Sequence, residues 1–557
     1  MGSCVREGSR RKGDSTMFLT EGLSFKGIRP LQMLSLGNPL AGFALPQRIP
    51  DHLRVVPPDP WGGDAQKGRD IIAGIFRFAG QSIEKNNLSW EPENARPEWM
   101  AELHGFEWLR DLRSAGGDRA RRMAREMVAN WLSRYQKPHD VAWRPDITGV
   151  RIANWISFHG FFCGSAGDDF RHEYFAGLLR QAKHLQKTLP GGLNGIPLMR
   201  ALKGLAYSGL CLDEGEQRLE QAFKGILVQI KEQLLADGGH ISRNPQSTFE
   251  FLQILVDLRT ALTAAKVEMP AEVQHAIDRI APAVKFFRHG DGALAHFNGA
   301  QEGLAGICDS TLMHSGARGK AMKSLPHCGY EKITLGRAAL IMDVGQPLMS
   351  RYADRAHAGL LSFEYSFGKD RVFVNCGTSE IAGKWREILR STAAHSTVTA
   401  DHRNSCQFDE NGLLQSRPDI RHKRQEDDDI AMLEASHNGY MPRNGLIHRR
   451  CVRLHDHGDV LLGEDQLLGK SGTEFHARFH LHPNIQASLI NDGQEVLLRA
   501  RSGMGWRFKP QGATLTLEES VYAGEGETPR RTQQIVLGGQ TEGGPTTVTW
   551  ELRREKI

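Results

Sequence analysis

The chain has 557 residues, 40% of them hydrophobic and 24% charged, with 70 basic side chains, 65 acidic ones and a net charge of +5. That length exceeds one ordinary core and predicts two to four domains of soluble globular composition. No dense Lys/Arg stripe with interleaved aromatics occurs, which argues against nucleic acid, and no run of about 18 apolar residues predicts a membrane span. The eight cysteines are scattered and form no CxxC pair, so a zinc ribbon or thioredoxin motif is not expected; they read as reduced thiols of a cytosol-like compartment.

Residues 1–46 are expected to be a disordered or extended segment. The first 16 are basic and polar, with no apolar stretch of the kind a secretory signal needs. Residues 47–300 carry helical spacing. In Leu219, Phe223, Ile226, Leu227, Ile230, Leu234 and Leu235 the steps place one apolar face on a helix, and Asp237-Gly238-Gly239 ends it. Segments 119–135, 199–212 and 247–265 repeat the pattern, and no fixed repeat length favours a solenoid. Residues 287–330, rich in glycine and small side chains, read as the linker, with the second domain starting at 301. After 330 come short strands at Arg371–Val374, Val460–Leu462, Phe475–His482, Val496–Ala500 and Thr546–Leu552, with turns between. The expected fold is a helical domain followed by an antiparallel β-sandwich.

Several motifs fit one family. Arg355-Ala356-His357-Ala358-Gly359-Leu360-Leu361-Ser362-Phe363-Glu364 is similar to the HAHAD-x-LSFE core of heparinase II/III-like proteins. Val374-Asn375-Cys376-Gly377-Thr378 resembles their V-D-x-G-T. Trp385-Arg386 followed by Arg390-Ser391-Thr392-Ala393-Ala394-His395-Ser396-Thr397-Val398 resembles their W…R-S-T-A-A-H-N-T-V. Arg151–Ile156 and Asp237-Gly238-Gly239-His240 fit the helical half, so the resemblance spans about residues 55–557. It implies an (α/α) toroid packed on the sandwich, with a glycan cleft between them. The enzymes of such a family cleave uronate-containing polysaccharides by β-elimination. That reaction needs a group to neutralise the uronate carboxylate, a Tyr or His base, and an acid for the leaving oxygen. Some members also hold zinc through His, Asp and His.

The chain departs from that pattern. Arg355 stands at the first His of the HAH pair, Asn375 at the strand-end aspartate, and Ser247 where the family Tyr is expected. The helical Asn-His has no clean equivalent; an ungapped count gives Ile196-Pro197, and a two-residue slip brings in Asn194-Gly195. The catalytic candidates are therefore His240, Arg243, Asn244, Arg355 and His357. Either arginine would neutralise a uronate and either histidine would act as base. The bland reading is that these side chains cap helices and tie the domains together. His357 and His395, with Asn375 or Cys376, form a candidate zinc set, weakened because neutral Asn is a poor ligand. The other reading makes both histidines structural.

Asn194, Gln246, Trp385, Arg386, Arg390 and His480 are candidate substrate contacts. Trp385, Arg386 and Arg390 are expected in a polar loop, stacking on a sugar and pairing its acid. His476, Arg478, His480 and His482 alternate along one strand and share a face. That face meets either a glycan or solvent. Glu464 and Asp465 are adjacent, so they point to opposite faces and do not make a glycosidase pair. Three functions stay open: a lyase on an acidic glycan, a glycan-binding protein that lost elimination, and a glycan hydrolase. The expected partner is an acidic polysaccharide or oligosaccharide. The expected place is the cytoplasm, with the cell envelope as alternative.

Overall fold

A computed structural model of the chain describes residues 49–557 except 85–88, 304, 348–350, 353–354, 380–383, 411, 525–528 and 556–557. The segment expected to be extended over 1–46 lies outside them. The helices expected at 119–135, 199–212, 219–235 and 247–265 occur at Gly117–Arg134, Gly195–Cys211, Glu216–Gln233 and Pro245–Ala265. Gly117–Arg134 buries Ala120, Ala124, Met127, Val128, Trp131 and Leu132, one stripe at steps of three and four. Pro245 opens its helix at the position where a missing N–H costs nothing, and the Asn244 side chain accepts from Ser247 N.

Helix Gly195–Cys211 is buried on nearly every side. It crosses Pro145–Ser157 so closely that a Cβ on Gly204 would sit 2.3 Å from the Gly149 backbone. Only paired glycines permit that approach.

The C-terminal half is a sandwich of two antiparallel sheets. One runs, in spatial order, through 485–490, 495–500, 505–511, 544–555, 460–469, 446–455, 431–437 and 420–426. The other runs through 514–522, 530–540, 474–481, 370–374, 363–367, 338–343, 330–335 and 324–325, with 398–400 also pairing 474–481. Between them Phe363, Phe373, Phe479, Phe508 and Trp550 form an aromatic core, with Phe479 and Trp550 centroids 4.9 Å apart.

Asp465 is buried there, whereas its neighbour Glu464 faces out to Arg449. Asp465 accepts from Arg450 Nε at 2.7 Å and Nη2 at 3.1 Å, lies 2.8 Å from His448 Nε2, and accepts from Trp550 Nε1 at 3.2 Å. Arg450 also donates to the carbonyls of Leu361 and Ser396, so one buried carboxylate organises strands and loop together.

Three expectations change. The helical half continues past 300 through helix Ala305–Ser315, and the first sandwich strand starts at Ser324. The small-residue stretch before that helix packs rather than links: Leu294, Ala295, His296 and Phe297 are all buried. Residues 384–390 form a helix instead of a polar loop. Trp385 and Leu389, one turn apart, pack on Cys376, Ala394 and Ala523.

The seven described cysteines are buried and unpaired. Burial pushes the thiols of Cys211, Cys376 and Cys406 up to about 12.

Asp465→Ala would strand the Arg450 charge inside the sandwich. We expect a loss of about 3–5 kcal/mol, read as a lower midpoint in urea unfolding followed by tryptophan fluorescence.

Candidate functional site

Helix starts and one sandwich loop enclose a polar cleft of about 480 Å³. Its walls come from helix starts on one side and from the loop carrying Tyr352 and Arg355 on the other. Asn194 precedes helix Gly195–Cys211 without spending its side chain on the cap. Gln246 sits in the first turn of Pro245–Ala265, donates to Glu250 Oε1 at 3.0 Å and accepts from Gln301 N at 3.3 Å. Arg200 donates to Glu250 Oε2 at 2.9 Å.

Arg355 enters from the sandwich side. Its segment is pinned where His357 N donates to Asn298 Oδ1 at 3.1 Å. It is also pinned at Gly299, which has φ +79° and where a Cβ would lie 3.1 Å from the Arg355 carbonyl. Arg355 is exposed, and among the described residues no carboxylate pairs with it. Lys67 and Arg77 add positive charge to the rim, Glu102 and Glu107 negative.

His240 lines the cleft but is 2% exposed. Its Nδ1 accepts from Ser242 N at 3.1 Å, which fixes the proton on Nε2; that N–H donates to Gln233 Oε1 at 2.8 Å. Ser242 Oγ lies 2.7 Å from the same Nδ1. Burial pushes the His240 imidazole down to about 3. It is neutral, doubly engaged and a weak base.

Four expected residues, Asn194, His240, Gln246 and Arg355, thus meet in one cleft. Arg243 and Asn244 do not line it. Arg243 is buried, donates to the carbonyls of Cys328, Gln346 and Gly329, and forms an ion pair with Asp343. Asn244 caps its helix and donates to Asn298 O at 2.8 Å. Arg243 ties the helical half to the sandwich, and Asn244 is spent within the helical half.

His480 is buried, with Nε2 on Ala393 O at 3.0 Å and Nδ1 on Ser520 Oγ at 2.8 Å. Arg390 is buried, donates to Ala356 O at 2.8 Å and lies over the Phe408 ring. Trp385 is in the cluster already described, and Arg386 is exposed on the same helix, away from the cleft lining.

The expected zinc set does not fit a metal. His395 Nδ1 donates to Ser391 O at 2.7 Å, so its Nε2 accepts from His357 Nδ1 at 3.1 Å. One lone pair, on His357 Nε2, is all the two imidazoles retain. Asn375 Oδ1 accepts from Ser396 N, and its amide donates to His296 O. Cys376 sits against His480 and Ser520 instead.

Sequence reasoning missed Tyr352. Its phenol lines the cleft, donates to Glu232 Oε2 at 3.1 Å and accepts from Arg351 Nη2 at 3.0 Å. Its ring stands edge-on to His240, centroids 6.4 Å apart. The signal was its place three residues before Arg355.

The family model for the heparinase II/III N-terminus matches residues 69–310, and that for the heparinase II/III-like C-terminal domain matches 317–551. The chain belongs to the heparinase II/III-like family. It is similar to heparinase III, with TM-score 0.70 and 14% identity over 89% of this chain and 86% of that one. It is also similar to a heparan sulfate lyase of Pedobacter heparinus, with TM-score 0.60 and 15% identity over 88% and 83%. At those identities the likeness shows the fold of a polysaccharide lyase. A curated relative, FtsZ-localized protein C of Caulobacter vibrioides, is 30% identical over 92% of this chain and 91% of its own length. No described helix is long and apolar enough to cross a membrane.

Two outcomes follow for this heparinase II/III-like chain. Arg243→Ala leaves Asp343 buried without its cation, and we expect about 3–5 kcal/mol lost, seen as a lower thermal midpoint. Buried neutral His240 lies far below its ordinary 6.5. The unfolded chain therefore binds the proton first. The stability is complete above about pH 6.5 and drains as pH falls toward 3. His240 alone should cost about 2 kcal/mol between pH 6.5 and 5. His240→Gln should flatten that part of the urea-midpoint profile.

Proposed function

We propose that this chain binds an acidic saccharide in the cleft, on a polysaccharide-lyase-like fold, without the family's usual elimination machinery. The observation that carries this is the contrast within one recess. Arg355 offers an uncommitted guanidinium beside Asn194 and Gln246, while His240 has both ring nitrogens engaged and Ser247 stands at the expected base position. A guanidinium matches a carboxylate with two parallel N–H bonds, and half-buried amides suit sugar hydroxyls. The family's acidic substrates support the choice of ligand.

Elimination is a second reading, favoured by Tyr352. A phenol three residues from Arg355 in the same cleft supplies the group type missing at 247. Its hydrogen bonds to Glu232 and Arg351 would have to rearrange for it to take a proton. Burial raises its pKa above the usual phenol value.

The name of the Caulobacter relative supports a further part of the proposal. We place this chain in the cytoplasm, with FtsZ as the assembly it accompanies.

The test is a binding titration with uronate oligosaccharides and their neutral counterparts, with ultraviolet absorbance followed in the same cuvette. Affinity for the acidic ligand only, reduced about 10- to 100-fold in Arg355→Ala and weakened by salt, is expected. Rising absorbance from an unsaturated uronate, abolished in Tyr352→Phe, would replace binding by elimination. New reducing ends without absorbance would indicate hydrolysis. Equal affinity for neutral and acidic ligands would sink the proposal.

A further inference from the structure

Away from the cleft, the outer face of the sandwich brings three metal-binding side chains together. Glu474 and His476 lie two apart on strand Glu474–Leu481, so they share a face. Strand Val398–Ala400 pairs with it in the register Phe475↔Ala400 and His476↔Thr399. The chain then turns through Asp401 and His402, both with φ near +50°, and Asp401 N donates to Glu474 O at 2.7 Å. That turn swings His402 back over Glu474.

His402 Nε2 lies 3.2 Å from Glu474 Oε2, and His476 Nε2 lies 3.4 Å from Glu474 Oε1. The two rings are 5.2 Å apart and only 34° from parallel. On the neighbouring strand the residue opposite His476 is Gly538. A Cβ there would meet the ring at 3.4 Å, an ordinary contact.

We propose that His402, Glu474 and His476 form a surface site for a divalent transition-metal ion of the zinc type. Two imidazoles and one carboxylate are a common zinc donor set, with ligand bonds of about 2.0–2.2 Å and so tetrahedral neighbours about 3.4 Å apart. The two nitrogen–oxygen separations already have that size. Charge points the same way. Glu474 has no Lys or Arg partner among the described residues, because the nearby arginines are taken: Arg403 by Asp401 and Arg478 by Glu518. A cation held between the imidazoles would neutralise it. The exposure of His402 leaves a fourth position to water or to a donor from another molecule.

The site binds through neutral nitrogens on a rigid strand and one turn, so it should exist without refolding. The described thiols are buried and do not compete.

The experiment uses the full chain, free of any histidine tag and stripped with chelator. Cobalt(II) is added and visible absorbance followed, then zinc is added in competition. One equivalent of cobalt with ligand-field bands, displaced by zinc, is expected. Binding should weaken more than about tenfold in His402→Ala and in Glu474→Gln, with circular dichroism unchanged, and zinc should raise the thermal midpoint of the unmodified protein only. Absence of cobalt bands, or binding equally strong in either variant, overturns the site.

Discussion

The buried ion pair between Arg243 and Asp343 fixes the seam on which the cleft is built. It is buried at the seam where the helical half meets the sandwich, and the carbonyls of Cys328, Gly329 and Gln346 complete its shell. Arg243 sits at φ +60°, an unusual backbone state for a side chain of that size, held because its guanidinium and carbonyl are both claimed. Tyr330 and Asn298 close the same network. Because Asn298 also holds His357 N, the seam sets where the Arg355 loop stands relative to the helix starts. The placement of the Arg355 segment thus rests on a desolvated charge pair outside the cleft lining.

That arrangement divides the polar residues near the cleft into two populations. Those already spent, Arg243 on the seam and Asn244 on its helix cap and the Asn298 carbonyl, cannot turn to a substrate without leaving a buried partner unsatisfied. Those that face the recess, Arg355, Asn194 and Gln246, keep hydrogen-bonding capacity. His240 stands between the two. It borders the recess, yet its neutral imidazole serves to link Gln233 to the Ser242 turn. The recess thus sets open polar groups beside a histidine committed to structure.

Much of this was legible in the sequence. Helical and strand periodicity located the main elements, because a buried stripe and an alternating face leave direct marks on residue order. Motif resemblance singled out Arg355, the helix end after Asp237-Gly238-Gly239 singled out Gln246, and Asn194 entered only through a two-residue slip in the count. What stayed hidden depended on long-range partners. Nothing local distinguishes Arg243 as a seam residue, since its carboxylate partner is one hundred positions away. His480 reads as part of a cationic ladder, but Ser520 from a distant strand and Ala393 from a short helical turn reach it and bury it. Residues 384–390 look polar, and only the Trp385–Leu389 pair, one turn apart, betrays their helix. Tyr352 carries no motif of its own.

The buried thiols bear on the inference from cysteine usage to compartment. Scattered unpaired cysteines read as the mark of a reducing environment. Here each described sulfur is enclosed, and the most enclosed are protonated far above neutrality. Thiol–disulfide exchange requires an accessible thiolate. The surroundings can oxidise these sulfurs only during excursions in which the fold opens. Their reduced state is thus enforced by conformational free energy, and it would persist on either side of a membrane.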